Sequence, residues 1–245
     1  IKTVSNMHSA EELRLSLQTA ISGLSQIPLL LKFMSVCPIA DLELEALLTD
    51  IRSVLLASIS EITGSSEFLR FQSALALQCF TNEYVYVQTD NETKALGTLE
   101  AVVKESLLKR EQPSPQAILC LAAYKALHDY EWSDLLTMTP DIEDVFTRQA
   151  VEPKQETRLK SDIPVLQEIT DKVSFKVRQQ YEKNPYPRWV SLGLPLKPAS
   201  VSELAKRLEL RVFYPEINDV ENPNILIAGC GTGQQSIGTA ARFKN

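Results

Sequence analysis

Glycine is scarce in this chain, eight in 245 residues, yet four lie between Gly229 and Gly238. They follow the apolar run Ile225-Leu226-Ile227-Ala228, which Asn222-Pro223-Asn224 introduces. A short apolar run after such punctuation reads as a buried parallel strand, and Gln234 onward reads as a helix. Strand, glycine turn and helix start are how an α/β sheet brings its backbone close to a cofactor. The spacing separates the kinds of cofactor. A phosphate-cradling loop needs G-x-x-x-x-G-K-[ST]; Gly233 and Gly238 keep the interval, but Thr239 stands where the lysine must be. The dinucleotide fingerprint G-x-G-x-x-G/A fails as well, because its last position is Gln234 counted from Gly229 and Ser236 counted from Gly231. What remains is Gly229-x-Gly231-x-Gly233, in which Cys230 and Thr232 contribute mainly backbone groups.

Other residue types offer less chemistry. Cys37, Cys79, Cys120 and Cys230 are widely separated, with only His8 and His128 for company, so no zinc site or disulfide framework is expected. Cys37, Cys79 and Cys120 sit among apolar neighbours and read as small buried hydrophobes in a reducing compartment. Cys230 has no flanking base that would make it a nucleophile. Glu143 and Asp144, after Thr139-Pro140-Asp141, are explained by helix-start electrostatics rather than as an acid/base pair.

The run Ile227-Ala228-Gly229-Cys230-Gly231-Thr232-Gly233 resembles the first motif of class I S-adenosylmethionine-dependent methyltransferases. Upstream, Tyr181-Glu182-Lys183-Asn184-Pro185-Tyr186-Pro187-Arg188-Trp189 resembles a segment that precedes the catalytic domain in members with a helical, tetratricopeptide-like N-terminal region. The stretch from Gln78 to Tyr84 has a similar look. The resemblance implies a glycine loop, Gly229, Cys230, Gly231, Thr232, Gly233 and Gln234, packed under the methionine part and ribose of S-adenosylmethionine. At such turns a Cβ would occupy cofactor space or strain the backbone. Pro185 and Pro187 stiffen the upstream strip, and Tyr181, Tyr186, Arg188 and Trp189 are read as a lid across the cofactor, with a domain linker as the alternative. No catalytic residue is assigned, and the methyl acceptor is unknown.

The elements that must position this loop fall into three regions. Residues 1–150 read as helix after helix, an irregular bundle without a repeat period. Ser9 with Glu11 and Glu12 starts one helix. Leu44, Leu47, Leu48, Ile51, Leu55 and Ile59 line one face of another, leaving Glu45, Asp50 and Arg52 for solvent. The helix from about Ser66 is apolar nearly all round between Phe71 and Phe80, which predicts a central position; Glu83 beyond it reaches solvent or caps a neighbour. Leu96, Leu99, Val103 and Leu107 mark a further helix ending at Lys109-Arg110. Ser114-Pro115 opens the next, and Thr139-Pro140 repeats the device. Residues 151–221 are a basic, proline-bearing connector with a helix over Thr170–Tyr181. A second helix there has a Ser200/Glu203 capping box and is buried through Leu204 and Leu208. Residues 222–245 are the start of a Rossmann-like α/β domain, with Leu210–Tyr214 the one nearby candidate for a pairing strand.

Charge follows the same division. Residues 1–153 carry 11 Lys/Arg against 21 Asp/Glu, and residues 154–211 carry 12 against 7. The overall net of −6 and pI near 5.1 disfavour nucleic-acid binding. No apolar run approaches the roughly 18–20 residues of a membrane span, so the chain is read as cytoplasmic. It begins at Ile1 and stops just past the glycine motif, and is therefore expected to be a fragment. On that expectation it binds cofactor weakly and transfers no methyl group, whereas the longer protein binds it. Two other functions stay open: a helical protein-interaction module without catalysis, with a protein partner on the helical domain, and an NAD(P)-binding oxidoreductase.

Overall fold

The computed structural model describes residues 10–60, 65–164, 169–183, 189–193, 197–220 and 224–243, and among these the protein is mainly helical. The chain divides into two compact units, Ile1–Leu166 and Gln167–Asn245.

The first unit is an irregular helical bundle: α1 (Ala10–Ser25), α2 (Pro28–Val36), α3 (Leu42–Ala57), α4 (Ser66–Thr81), α5 (Asp90–Leu108), α6 (Pro115–Ala122), α7 (Glu143–Phe146) and α8 (Glu152–Lys160). Its centre is α4, which packs against α1, α2, α6 and α7. The near-absence of a polar stripe on α4 is the cause, since Phe71, Leu75, Ala76 and Cys79 have neighbours on every side. The helix starts are written locally. Asp41 accepts from the Leu44 amide at 2.8 Å, Ser65 from Phe68 at 3.3 Å and Ser114 from Ala117 at 3.3 Å. Thr89 and Glu92 close a reciprocal capping box on α5. Buried amides cross-link the bundle: Gln78, with its amide turned to satisfy its surroundings, donates to the Met34 and Cys37 carbonyls and accepts from the Ile39 amide. Arg148 donates to the Ser35 carbonyl and the Thr81 hydroxyl.

Three sequence expectations change in this unit. Arg52 is not left for solvent but is 2% exposed. It lies four residues after Leu48 and three before Leu55, inside the apolar stripe. Thr139-Pro140 opens a turn, closed by the Ile142 amide on the Thr139 carbonyl at 3.1 Å. The helix begins later at Glu143, without a side-chain cap. The compositional change at Val151 falls inside a continuous helical run from Glu143 to Lys160, which widens into a π turn over Thr147–Val151. Pro153 explains the widening: it has no N–H for the Gln149 carbonyl, and its ring would crowd that carbonyl in a regular α-helix. Instead the Gln149 carbonyl accepts from His128 Nδ1 at 2.9 Å.

The second unit holds α9 (Lys172–Lys183), α10 (Val201–Arg207) and α11 (Gln234–Ala240), with a 3-10 turn over Pro215–Asp219. Asp171 caps α9 by accepting from the Ser174 amide at 2.8 Å. The Ser200/Glu203 capping box on α10 forms as the sequence predicts. Leu204 is half-buried, but Leu208 is 52% exposed, and Ala205 makes the buried contact instead. The expected strand over Ile225–Ala228 does not form, and neither does one over Leu210–Tyr214. A strand needs at least one neighbouring strand to pair with. Among the described residues of this unit the β pairing is one isolated bridge, Ala199 with Phe243. Leu226 is accordingly 92% exposed.

Candidate functional site

The glycine loop owes its shape to backbone handedness. Gly229, Gly231 and Gly233 have φ of 67°, 54° and 81°, all in the left-handed region, where a non-glycine residue costs roughly 1–2 kcal/mol. The alternation in the sequence is therefore a run of three left-handed positions spaced by Cys230 and Thr232. The Gly233 amide closes the turn on the Cys230 carbonyl at 3.0 Å, and α11 follows at once, its first bond running from Ile237 to the Gly233 carbonyl. A Cβ built on Gly229 or Gly233 meets nothing within 4 Å. The space over these two positions is open, so the loop can be approached closely by a ligand. Cys230 is exposed, and Gln234 heads the helix.

Of the two described lid residues, one meets this loop. Trp189, half-buried, donates its indole N–H to the Thr232 hydroxyl at 3.0 Å. Forty-three residues of chain separate the partners, so the bond ties the proline strip to the glycine turn. Tyr181 lies on the exposed surface of α9. Tyr186 and Arg188 lie outside the described residues.

The sequence reading missed a buried ionic cluster in the first unit. Arg52 Nη2 donates to the Val87 carbonyl at 2.7 Å and the Tyr86 carbonyl at 3.4 Å. Its guanidinium carbon lies 4.1 Å from the Tyr124 ring centroid and 5.6 Å from that of Tyr86. Tyr124 in turn donates its hydroxyl to Glu92 at 2.6 Å, and Glu92 also accepts from the Thr89 amide and hydroxyl, both at 2.8 Å. Burial alone would raise the Glu92 carboxyl. The Tyr124 and Thr89 hydrogen bonds, with the Arg52 charge, hold it below its ordinary value. Burial pushes the Cys79 and Cys120 thiols up to about 12, against the nearby Arg52 charge, which makes both chemically quiet. Thr89-x-x-Glu92 was a readable capping signature. Nothing local announces that the same carboxylate also takes a tyrosine from α6's far end.

Gln149 is the second missed residue. It is fully buried on the π turn. It donates to the Ala76 and Ala122 carbonyls, both at 3.1 Å, and accepts from the Leu127 amide at 3.3 Å. It therefore staples α4, α6 and the following turn together. Among the described residues no group of three or more His, Cys, Asp or Glu side chains is placed to hold a metal ion, and no single helix is long and apolar enough to cross a membrane. Comparison with known protein families, curated proteins and solved structures finds no match to this chain.

Proposed function

We propose that the loop Gly229–Gly233 is the cofactor-contacting turn of an S-adenosylmethionine-dependent methyltransferase, with Trp189 as part of its cover. One observation carries the reading: three alternating glycines all hold left-handed backbone, with open space above Gly229 and Gly233. A β-turn serving only chain reversal uses at most two such positions, not three. Gly229, Cys230, Gly231, Thr232, Gly233 and Gln234 would hold the methionine and ribose side of the cofactor, presenting backbone to it rather than side chains. When bound, the cofactor supplies an electrophilic methyl group on a sulfonium. The chain's own contribution is positioning, and Trp189 adds an apolar face that excludes water from the loop. The acceptor of the methyl group is not assigned.

The test is calorimetric titration of the protein with S-adenosylhomocysteine and, separately, with NAD. The reading expects weak, saturable binding of the first, none of the second, and a loss of at least about tenfold, roughly 1.4 kcal/mol, in Gly231→Val. Equal binding of both, or binding indifferent to that substitution, would remove the glycine loop from the account.

A further inference from the structure

A groove of about 450 Å³ runs over α4 in the first unit, between α2 and the turn that enters α7. Leu69, Ala74 and Leu77 of α4 give it an apolar floor. Lys32 and Arg70 line it with positive charge, and Asp141, Glu143 and Asp144 with negative. All five charged side chains are exposed, and among the described residues none of them forms an ion pair. The turn carrying the carboxylates is fixed in place. Ile142 is buried beneath it, and Ser73 Oγ donates to the Asp141 carbonyl at 3.4 Å.

We infer that this groove binds a short linear peptide of a partner protein in which a basic and an acidic side chain bracket apolar ones. The inference is independent of the cofactor reading, which concerns the other unit. Unpaired charges of both signs lining one preformed groove favour a ligand that carries both signs. The apolar floor that shares the groove with them favours one that carries apolar side chains as well. Three carboxylates repel a phosphate backbone or an anionic lipid surface, so a nucleic acid or a membrane fits poorly. The volume suits a few peptide residues rather than a whole protein face. Because the charged residues are exposed, their exchange leaves the core of α4 untouched.

The experiment titrates the full chain with three blocked tetrapeptides: acetyl-Lys-Leu-Leu-Glu-amide, its all-basic form with Lys at both ends, and its all-acidic form with Glu at both ends. NMR chemical-shift changes report the affinity and the place. The mixed peptide should bind tightest, at least threefold over either control, shifting amide signals of α2, α4 and residues 140–144. Asp144→Lys and Arg70→Glu should each weaken it about tenfold, and Asp144→Lys should gain affinity for the all-acidic peptide. No binding of the mixed peptide at millimolar concentration overturns the proposal. So does equal binding of all three peptides, or shifts confined to other elements. The ranking of the peptides on the unaltered protein decides the matter even if a variant folds poorly.

Discussion

At the scale of single residues, the fold rests on polar groups that local sequence does not mark as buried. Arg52 is the sharpest case: its guanidinium occupies the apolar stripe of α3 because Tyr86, Tyr124 and two backbone carbonyls replace its water. Arg52→Met should lower stability by about 3 kcal/mol. In urea unfolding, the same change made in Glu92→Gln should cost clearly less, because the two charges answer one another. Additive losses would show that they act separately. The pH dependence has a definite sign. The folded protein holds Glu92 below its ordinary value, so that carboxylate contributes its full stability above the unfolded-state value of about 4.3. The contribution fades as pH falls from there through the lower folded value. The stability gap between wild type and Glu92→Gln should therefore shrink on acidification, and a gap constant from pH 7 to pH 3 would contradict the assignment. Thiol accessibility gives a simpler check. Cys79 and Cys120 should stay unmodified by a thiol reagent at pH 8 until the protein unfolds, whereas exposed Cys230 should react at once.

At the scale of elements, the helix ends show what pattern reading reaches and where it stops. Ser114-Pro115 and Ser200/Glu203 start helices where the sequence predicts, because capping involves only residues three apart. The apolar wrap of α4 likewise forecasts its central place. The C-termini are less legible. Arg110 and Glu209 have φ of 64° and 53°, and Glu83 has 59°, each at the position after a helix where glycine is usual. The Arg110 amide bonds to the Leu107 carbonyl and Glu111 to Ser106, completing the motif. Lys109-Arg110 reads as cations suiting the helix dipole, and that reading hides the strained backbone. Arg110→Gly should raise stability by about 1 kcal/mol in thermal or urea melts, and a loss would show that the arginine side chain outweighs the strain. The π turn could be suspected from Pro153 alone. Its purpose, bringing Gln149 to Ala76, Ala122 and Leu127, depends on segments up to 73 residues away. The strand expected at Ile225–Ala228 failed for the same kind of reason, since an apolar run specifies burial but not the partners a ladder requires.

At the scale of the whole molecule, the two units differ in how their apolar residues are used. The first has a continuous core around α4. In the second, Ala199 and Ala205 are the buried hydrophobic residues among those described, while Phe213, Tyr214 and Leu226 are each at least three-quarters exposed. A chain ending at Leu166 should therefore melt cooperatively by itself. One ending at Ala150 should be less stable, because it cuts the helical run within the turn that holds Gln149; equal melting of the two would discount the π turn. The glycine turn was the part of the candidate site most legible in sequence, since three left-handed positions within five residues would cost any other residue type repeated strain. Of the strip read as a lid, Trp189 meets the turn and Tyr181 is exposed on α9. The central claim is that this turn and Trp189 together receive S-adenosylmethionine. Tryptophan fluorescence during titration with S-adenosylhomocysteine tests it most directly, because Trp189 touches Thr232 while the other tryptophan, Trp132, is buried in the first unit. The account predicts a saturable change in emission that NAD does not produce and that Trp189→Phe abolishes. A signal unchanged by S-adenosylhomocysteine, or one that persists without Trp189, would contradict it.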